Sequence, residues 1–424
     1  MYFPVDGQLS MEFCEQNGLL AVYENGVNVS GGYMDPAKRN VKAIKLRGEK
    51  SDGLFLPLEC LVYTGVDLST LKAGDQITVV NGKEICQKYI PKVNPVKTSN
   101  SKNPNKKTVK AKYQTTPTFF EHKDTEQLAY NLDAFKPGDE VEITLKMHGT
   151  SQRTGYHKVH VGYKRSLLDK ILRRDGTPIY DWGVANGTRR TVLKDFEGGF
   201  YGSNEFREPH AKMFEGKLWK GETVYYEVVG FTHTGAPIMA TCSNKKLNDK
   251  EFIKQYGEET VFSYGCEPGL LGGLIKDKEV VDNETIVYPQ SDIYVYRMTM
   301  TNEDGDTVEY TPDFMRYRCE LMGVKCVPVL WSGRIPQNPG SKDDPTISAG
   351  EWIKNVAERY YDGPDPIGKT HVREGVVVRI LNRPTFAAYK HKNFSFKVLE
   401  GIIKDTADAP DMEEADGLDQ EVAE

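Results

Sequence analysis

Apolar side chains occupy every second position from Val141 to Leu145 in the run "EVEITLKMHGTSQRTG", with Glu142, Thr144 and Lys146 between and after them. Period two marks a half-buried strand. Lys146 therefore stands at a strand end, and Gly149 permits a tight turn directly behind it. Taken alone, a lysine there reads as a solvated strand end. Downstream, "GETVYYEVVGF" is a β-branched and aromatic strand with one acid, Glu227, in its middle, and "DIYVYRMTM" is another such strand. "HAKMFEGKLW" has helical spacing. "FMRYRCELMGVKCVPVLW" predicts a helix, a glycine stop and a strand, and "REGVVVRI" and "FSFKVLE" predict the last two strands. Strands far apart in sequence, with no regular βαβ repeat, predict an α+β domain of antiparallel sheets with flanking helices.

Ahead of that domain the pattern changes. "VKAIKLRG", "GLFLPLE" and "DQITVVNGKEI" read as short strands between Gly and Asp turns, a small β-barrel or sandwich over residues 1–93. Residues 94–116, "NPVKTSNSKNPNKKTVKAKYQTT", are rich in Lys, Asn and Thr and poor in large apolar residues, so they predict a flexible basic linker. Residues 117–404 form the main domain, and residues 405–424 an acidic tail expected to be disordered.

Composition narrows the class. A chain of 424 residues has room for two or three cores, and 27% charged with 38% hydrophobic residues is ordinary for a soluble globular protein. The net charge of -6 hides a division: the last twenty residues hold nine acids and no base, leaving the remainder at +3. A mildly basic body suits a protein that handles a polyanion. Seven cysteines without a CxxC pair predict reduced thiols in a cytosol-like compartment, and argue against a disulfide frame or zinc site. No run matches a membrane-spanning helix, and "MYFPVDGQLSMEF" lacks the pattern of a secretory signal. The expected setting is the cytoplasm, with no membrane partner.

Several charged residues answer Lys146. Glu227 interrupts an apolar strand. Glu374 and Arg379 bracket another, "REGVVVR". Lys390 and Lys392 in "YKHKNFSFK" are two apart and share a strand face. Arg165 follows in "KRS", and Arg189 and Arg190 in "GTRRTVLKD". Each alone reads as a solvated or structural residue. In this order they resemble the signature of covalent nucleotidyltransferases, and within it the ATP-dependent RNA ligases of the branch with an N-terminal OB-like module. "KMHGTS" resembles the nucleophile motif, "EGVVVR" the metal-binding strand, "YKHKN" the late lysine motif and "DIYVYRM" the strand whose aromatic stacks on adenine. "VKAIKLRGEKSDGLFLPL" resembles that branch's OB module.

The resemblance implies an ATP-grasp-like ligase domain and a three-step reaction. Lys146 would attack the α-phosphorus of ATP as a neutral amine and form lysyl-AMP. Lys390, Lys392, Arg165 and a metal would favour the uncharged amine and neutralise phosphate charge. Glu374 and Glu227 would hold Mg²⁺ or Mn²⁺, Glu227 also reaching the ribose. Tyr296, and next Tyr294, would stack on adenine. His148, Ser151, Arg189, Arg190 and Arg379 would face the nucleic acid. The partner implied is RNA, or an RNA-containing duplex with a 5′-phosphate, handled by a monomer whose N-terminal module grips the duplex or nick. Related ligases often carry a glutamate just before the nucleophile, where this chain has Leu145. DNA ligases and capping enzymes share the core motifs but typically place an OB domain after the late lysines; only 32 residues follow Lys392, which favours the RNA ligase. A non-catalytic OB-fold nucleic-acid-binding protein would explain residues 1–116, but not acids inside apolar strands, which are costly to bury without a cationic partner or metal.

Overall fold

The computed structural model describes residues 1–25, 27–46, 49–89, 116–167, 172, 176–197, 204–268, 279–281, 284–286, 290–340 and 346–405. Most of the expected linker, and the acidic tail after residue 405, lie outside the described residues. The chain divides into two compact units, Met1–Lys92 with Phe394–Ala407, and the main block Val93–Asn393.

In the first unit, strands pair two by two. Tyr2–Pro4 joins Gly53–Phe55, Gly7–Leu9 joins Cys86–Lys88, Ala21–Glu24 joins Val27–Gly31, Ile44–Leu46 joins Glu49–Ser51, and Val79–Val80 joins Lys83–Glu84. The expected OB-like barrel is therefore not closed among the described residues. Gly7–Leu9 does bond along its second edge, Leu9 N–H donating to the Arg39 carbonyl at 3.0 Å and Val41 N–H to the Gly7 carbonyl at 2.8 Å, but no continuous ladder joins the five pairs among the described residues. Asn81 and Gly82, both at positive φ, make the tight turn of the last pair. Phe3, Leu9, Phe13, Leu61 and Ile85 fill the core. The segment "FSFKVLE", expected as a strand, lies instead in the helix Phe394–Asp405, where Phe396, Leu399 and Glu400 are buried at helical spacing. Lys397 on that helix pairs with Asp52.

The second unit is α+β, with two sheets. Their main strands are β1 (Glu140–Lys146), β2 (Thr150–Lys164), β3 (Thr177–Gly187), β4 (Glu222–Gly230), β5 (Ser291–Thr301), β6 (Val329–Arg334), β7 (Gly375–Ile380) and β8 (Ala388–Lys392). The five-stranded sheet runs Glu126–Gln127, β8, β7, β1, β6, antiparallel except for its first pair. The seven-stranded sheet runs Val192–Leu193, β3, β2, β4, β5, Thr307–Glu309, with Lys325–Cys326 added in parallel on β5. The helix Pro312–Met322 ends at Gly323 in the left-handed region, as its glycine stop predicts.

The five-stranded sheet has two unlike faces. Val141, Ile143, Val376, Val378 and Ile380 pack with Ile353, Val356 and Ala357 of the helix Ala349–Glu358. Each fully buried Val or Ile there contributes about 1.5–3 kcal/mol. A Ser348–Glu351 capping box starts that helix. The other face holds Glu142, Thr144 and Lys146 of β1 with Val377, Arg379, Ala388 and Lys390, the mostly polar positions left by period-two alternation.

Candidate active site

Cross-strand register assembles the charged residues. Lys146 lies opposite Gly375, and Gly375 opposite Lys392. Thr144, Val377 and Lys390 make the next row, and Glu142, Arg379 and Ala388 the row after it. Glu374 directly precedes β7, so its carboxylate meets both lysines at the strand ends. Its Oε1 is 2.7 Å from Lys146 Nζ and 3.4 Å from Lys392 Nζ. Glu374 is 1% exposed and Lys146 8% exposed, so this pair is a buried charge cluster, not a solvated strand end. Mutual compensation is what allows such charges to be buried.

Lys146 opens into a cavity whose empty space, open mouth included, is about 980 Å³. Both sheets supply walls: Thr144, Lys146, Arg379 and Lys390 from one, Ser151, Glu227 and Tyr296 from the other, with Arg189 from the turn after β3. Glu227 is held against Ser151 of β2 and Tyr294 of β5 by register. Ser151 Oγ and the Tyr296 hydroxyl are 2.9 Å apart. Burial, then the neighbouring Glu227 carboxylate, push the Tyr296 hydroxyl well above the ordinary tyrosine range. Arg189 is fixed by Asp124 at 2.6 Å, and the buried Arg153 donates to the Thr188 and Arg189 carbonyls at 2.5 Å, holding the turn from below. Arg379 donates to the Tyr310 carbonyl at 3.0 Å, and burial presses its guanidinium below the usual arginine range while Glu309 opposes this.

Other expected residues fall elsewhere. His148 is buried outside the cavity lining, its Nδ1 3.7 Å from Glu374 Oε2 and its ring edge-on to Phe262 at 4.5 Å. Its backbone N–H donates to the Tyr264 hydroxyl at 2.7 Å. Tyr294 is buried opposite Glu227, under Lys325 at 5.7 Å, and is not part of the lining. Arg190 is exposed, 3.6 Å from Asp124. Arg165 is exposed beyond the far end of β2. Because β2 is one continuous strand of 15 residues, Arg165 stands on the order of 40 Å from Lys146, and it is no part of the cationic surroundings expected for it.

The cavity also uses residues that the pattern did not single out. His122 packs edge-on to Tyr296 at 5.0 Å and to Phe386 at 5.8 Å. Arg316, from the helix Pro312–Met322, donates to Glu142 Oε2 at 2.8 Å, so the polar position Glu142 is buried and paired. Arg207, wholly buried, donates to Thr150 Oγ1 at 2.7 Å and to the Ser151 carbonyl at 3.0 Å, fixing the first residues of β2. Lone histidines and arginines carry no periodic signal, and the Glu142–Arg316 pair joins residues 174 apart in sequence.

No protein-family model matches the chain, and no curated protein matches it. Among solved structures it is similar to those of Naegleria gruberi RNA ligase. A mutant with ATP and Mn gives a TM-score of 0.49 at 16% identity, covering 93% of this chain and 85% of that one. A second mutant, with AMP and Mn, gives 0.48 at 14%, covering 93% and 85%. The same ligase with PPi gives 0.47 at 14%, covering 93% and 84%.

Proposed function

We propose that the second unit is a covalent nucleotidyltransferase with Lys146 as nucleophile. Within that class the reading supported best is an ATP-dependent RNA ligase, joining 3′-hydroxyl and 5′-phosphate ends. The observation that carries it is the row Lys146, Gly375, Lys392, closed by the buried Glu374 carboxylate at 2.7 Å and opening into a cavity with Glu227, Tyr296, Arg189 and Lys390. A buried lysine at the edge of a cavity lined by cationic and aromatic side chains is what covalent transfer needs.

In the first step Lys146 Nζ forms a bond to the α-phosphorus of ATP, pyrophosphate leaves with the electrons of the broken P–O bond, and Nζ loses a proton. An RNA 5′-phosphate oxygen then displaces Lys146 from the AMP. A 3′-hydroxyl displaces AMP in turn and seals the strand, as at a nick in a duplex. Lys390, Arg189 and Arg379 line the space where phosphates would lie and would stabilise charge developing on them. Tyr296, braced by Ser151 and His122, offers a ring for adenine. No group of three or more metal-ligating side chains occurs among the described residues. Glu227, which lines the cavity, would hold Mg²⁺ or Mn²⁺, with Glu374 beside Lys146 as the second carboxylate; such ions take one or two carboxylates and complete their shell with water and phosphate. When bound, such an ion supplies positive charge to the phosphate oxygens.

The test is incubation with α-labelled ATP and Mg²⁺ or Mn²⁺, then a denaturing gel. A labelled band in the wild type and none in Lys146→Ala is the expected result. No band in either overturns the reading.

A further inference from the structure

Residues 147–149 carry the chain from one sheet to the other. β1 ends its ladder at Lys146, opposite Gly375, and β2 begins its own at Thr150, opposite Val228. The three residues between lie outside both ladders and are buried, and a buried backbone N–H needs a partner. For His148 that partner is the Tyr264 hydroxyl, which accepts at 2.7 Å from 116 residues further along the chain.

An uncommon backbone holds that hydroxyl in place. The Cys266 N–H donates to the Ser263 carbonyl at 2.9 Å, and the two residues between, Tyr264 and Gly265, have φ of 48° and 76°. This is the pattern of a type I′ turn, whose first central position goes by preference to Asn, Asp or Gly. A bulky side chain at positive φ is an outlier, and such strain persists where the surroundings over-determine it. Here they do. A Cβ on Gly230, at the end of β4, would lie 2.7 Å from Cys266 Cβ, and one on Gly368 would lie 2.7 Å from the Gly265 nitrogen. The Tyr264 ring is edge-on to the wholly buried His371 at 4.6 Å. Phe262 is edge-on to His371 at 5.1 Å and to His148 at 4.5 Å. A phenylalanine ring would fill the same space. What tyrosine adds is the hydroxyl, and it meets the backbone two residues after Lys146.

We propose that Tyr264 is a positioning residue for Lys146, its hydroxyl fixing the His148 N–H and with it the direction in which the lysine leaves the strand. The proposal rests on the ligase reading and deepens its first step. Tyr264 is not among the side chains that line the cavity, so it would touch neither ATP nor the reacting atoms. It acts through the backbone on the approach of Lys146 Nζ to the α-phosphorus. The rate of the first step should therefore depend on it, and the affinity for ATP should not.

The test is Tyr264→Phe in the full chain, by single-turnover labelling over a range of α-labelled ATP concentrations with a thermal melt beside it. A misplacement near 1 Å costs on the order of 10²-fold in rate, and one lost bond moves the turn by less, so labelling at saturating ATP should fall about tenfold. The half-saturating ATP concentration should stay within about twofold of wild type. An α-hydroxy acid at position 148 replaces the His148 N–H by an ester oxygen, removing the same bond while leaving Tyr264 in place. It should reproduce the loss, and it takes over the comparison if Tyr264→Phe does not fold. Labelling within twofold of wild type overturns the proposal. A half-saturating concentration that rises in step with the fall in rate also overturns it, since that marks a site disturbed as a whole. The rate at which acetic anhydride acylates Lys146, read by mass spectrometry against exposed lysines, is independent of ligase chemistry. If no protein labels with nucleotide, the ligase reading falls. An acylation rate altered more than twofold by Tyr264→Phe then keeps the positioning role, and an unchanged rate removes that as well.

Discussion

Gly149 sits in the turn between the lysine strand β1 and β2, and an alanine there should damage chemistry more than folding. A Cβ added at this position would lie 2.4 Å from the Val228 carbonyl oxygen and 2.9 Å from both Glu227 Cγ and Val229 Cγ1. Gly149 is not among the residues at positive φ, so glycine is required by close approach and not by its dihedral freedom. Contacts of a real Cβ stay beyond 3.0 Å, so the turn and β4 must separate by at least about 0.6 Å. Met147–Gly149 links directly to Lys146, and β4 carries Glu227; the separation therefore widens the cavity between its two sheets. Overpacking of this kind costs about 1–3 kcal/mol, a fall in melting temperature of about 2–4 °C per kcal/mol. A misplacement near 1 Å in reacting geometry costs on the order of 10²-fold in rate. Gly149→Ala should thus remain folded, melt several degrees lower and form lysyl-AMP some ten- to a hundredfold more slowly at saturating ATP. Single-turnover labelling with α-labelled ATP, beside a thermal melt, measures both. Labelling within twofold of wild type in a folded variant would refute the dependence of the nucleophile on this close approach.

Glu374→Gln removes the carboxylate from between Lys146 and Lys392, whose ammonium nitrogens lie within about 6 Å of each other through their shared oxygen. Breaking a buried pair by deleting one partner costs about 3–5 kcal/mol, to be read as a lowered urea midpoint with unchanged slope, and labelling by ATP should be lost; an unchanged midpoint contradicts the buried-charge account. His157 and His210 are pressed down by burial from 6.5 to about 4. Their folded-state values lie below the unfolded one, so their contribution is complete above pH 6.5 and is lost as pH falls towards 4. Between pH 7 and pH 5 each should cost about 2 kcal/mol, measured by denaturant unfolding at both values; over that interval His157→Gln should lose about 2 kcal/mol less than the wild type, and a loss equal to the wild type's would count against its neutral burial.

Where a segment is half-buried with one apolar face, its sequence already states its geometry. The alternation in β1 places Lys146 with Thr144 and Glu142, and the two-residue spacing of Lys390 and Lys392 follows the same parity on β8. Glu227 reads as unusual because the residues on either side of it are apolar. Contacts that close through space were not readable in this way. Arg165 is near Lys146 in sequence, yet a single long strand carries it away, while Arg316 and His122 reach the cavity from distant segments. The window "FSFKVLE" ends too early: Phe394, Phe396 and Val398 alternate as in a strand, and only Ile402 and Ile403 beyond it reveal the helical period. In the first unit, turn residues marked where strands end, but nothing in strands so short specified which edges would meet.

The same alternation that builds the core fixes the site. β7 places Val376, Val378 and Ile380 against the helix Ala349–Glu358, and this sets Val377 and Arg379 on the cavity side. A slip of one residue would exchange every side chain between faces. It would carry Arg379 into the apolar core and draw Glu374 out of line with Lys146 and Lys392. The burial of three β-branched side chains on β7, at about 1.5–3 kcal/mol each, is therefore also the energy that holds a carboxylate between two lysines at a strand edge. Charge attraction alone could not do this, because the desolvation of such a cluster offsets much of its Coulombic gain. The apolar face thus does the positioning for the polar one, and the charged cluster is placed at the strand ends, where the register is fixed but the side chains reach the cavity.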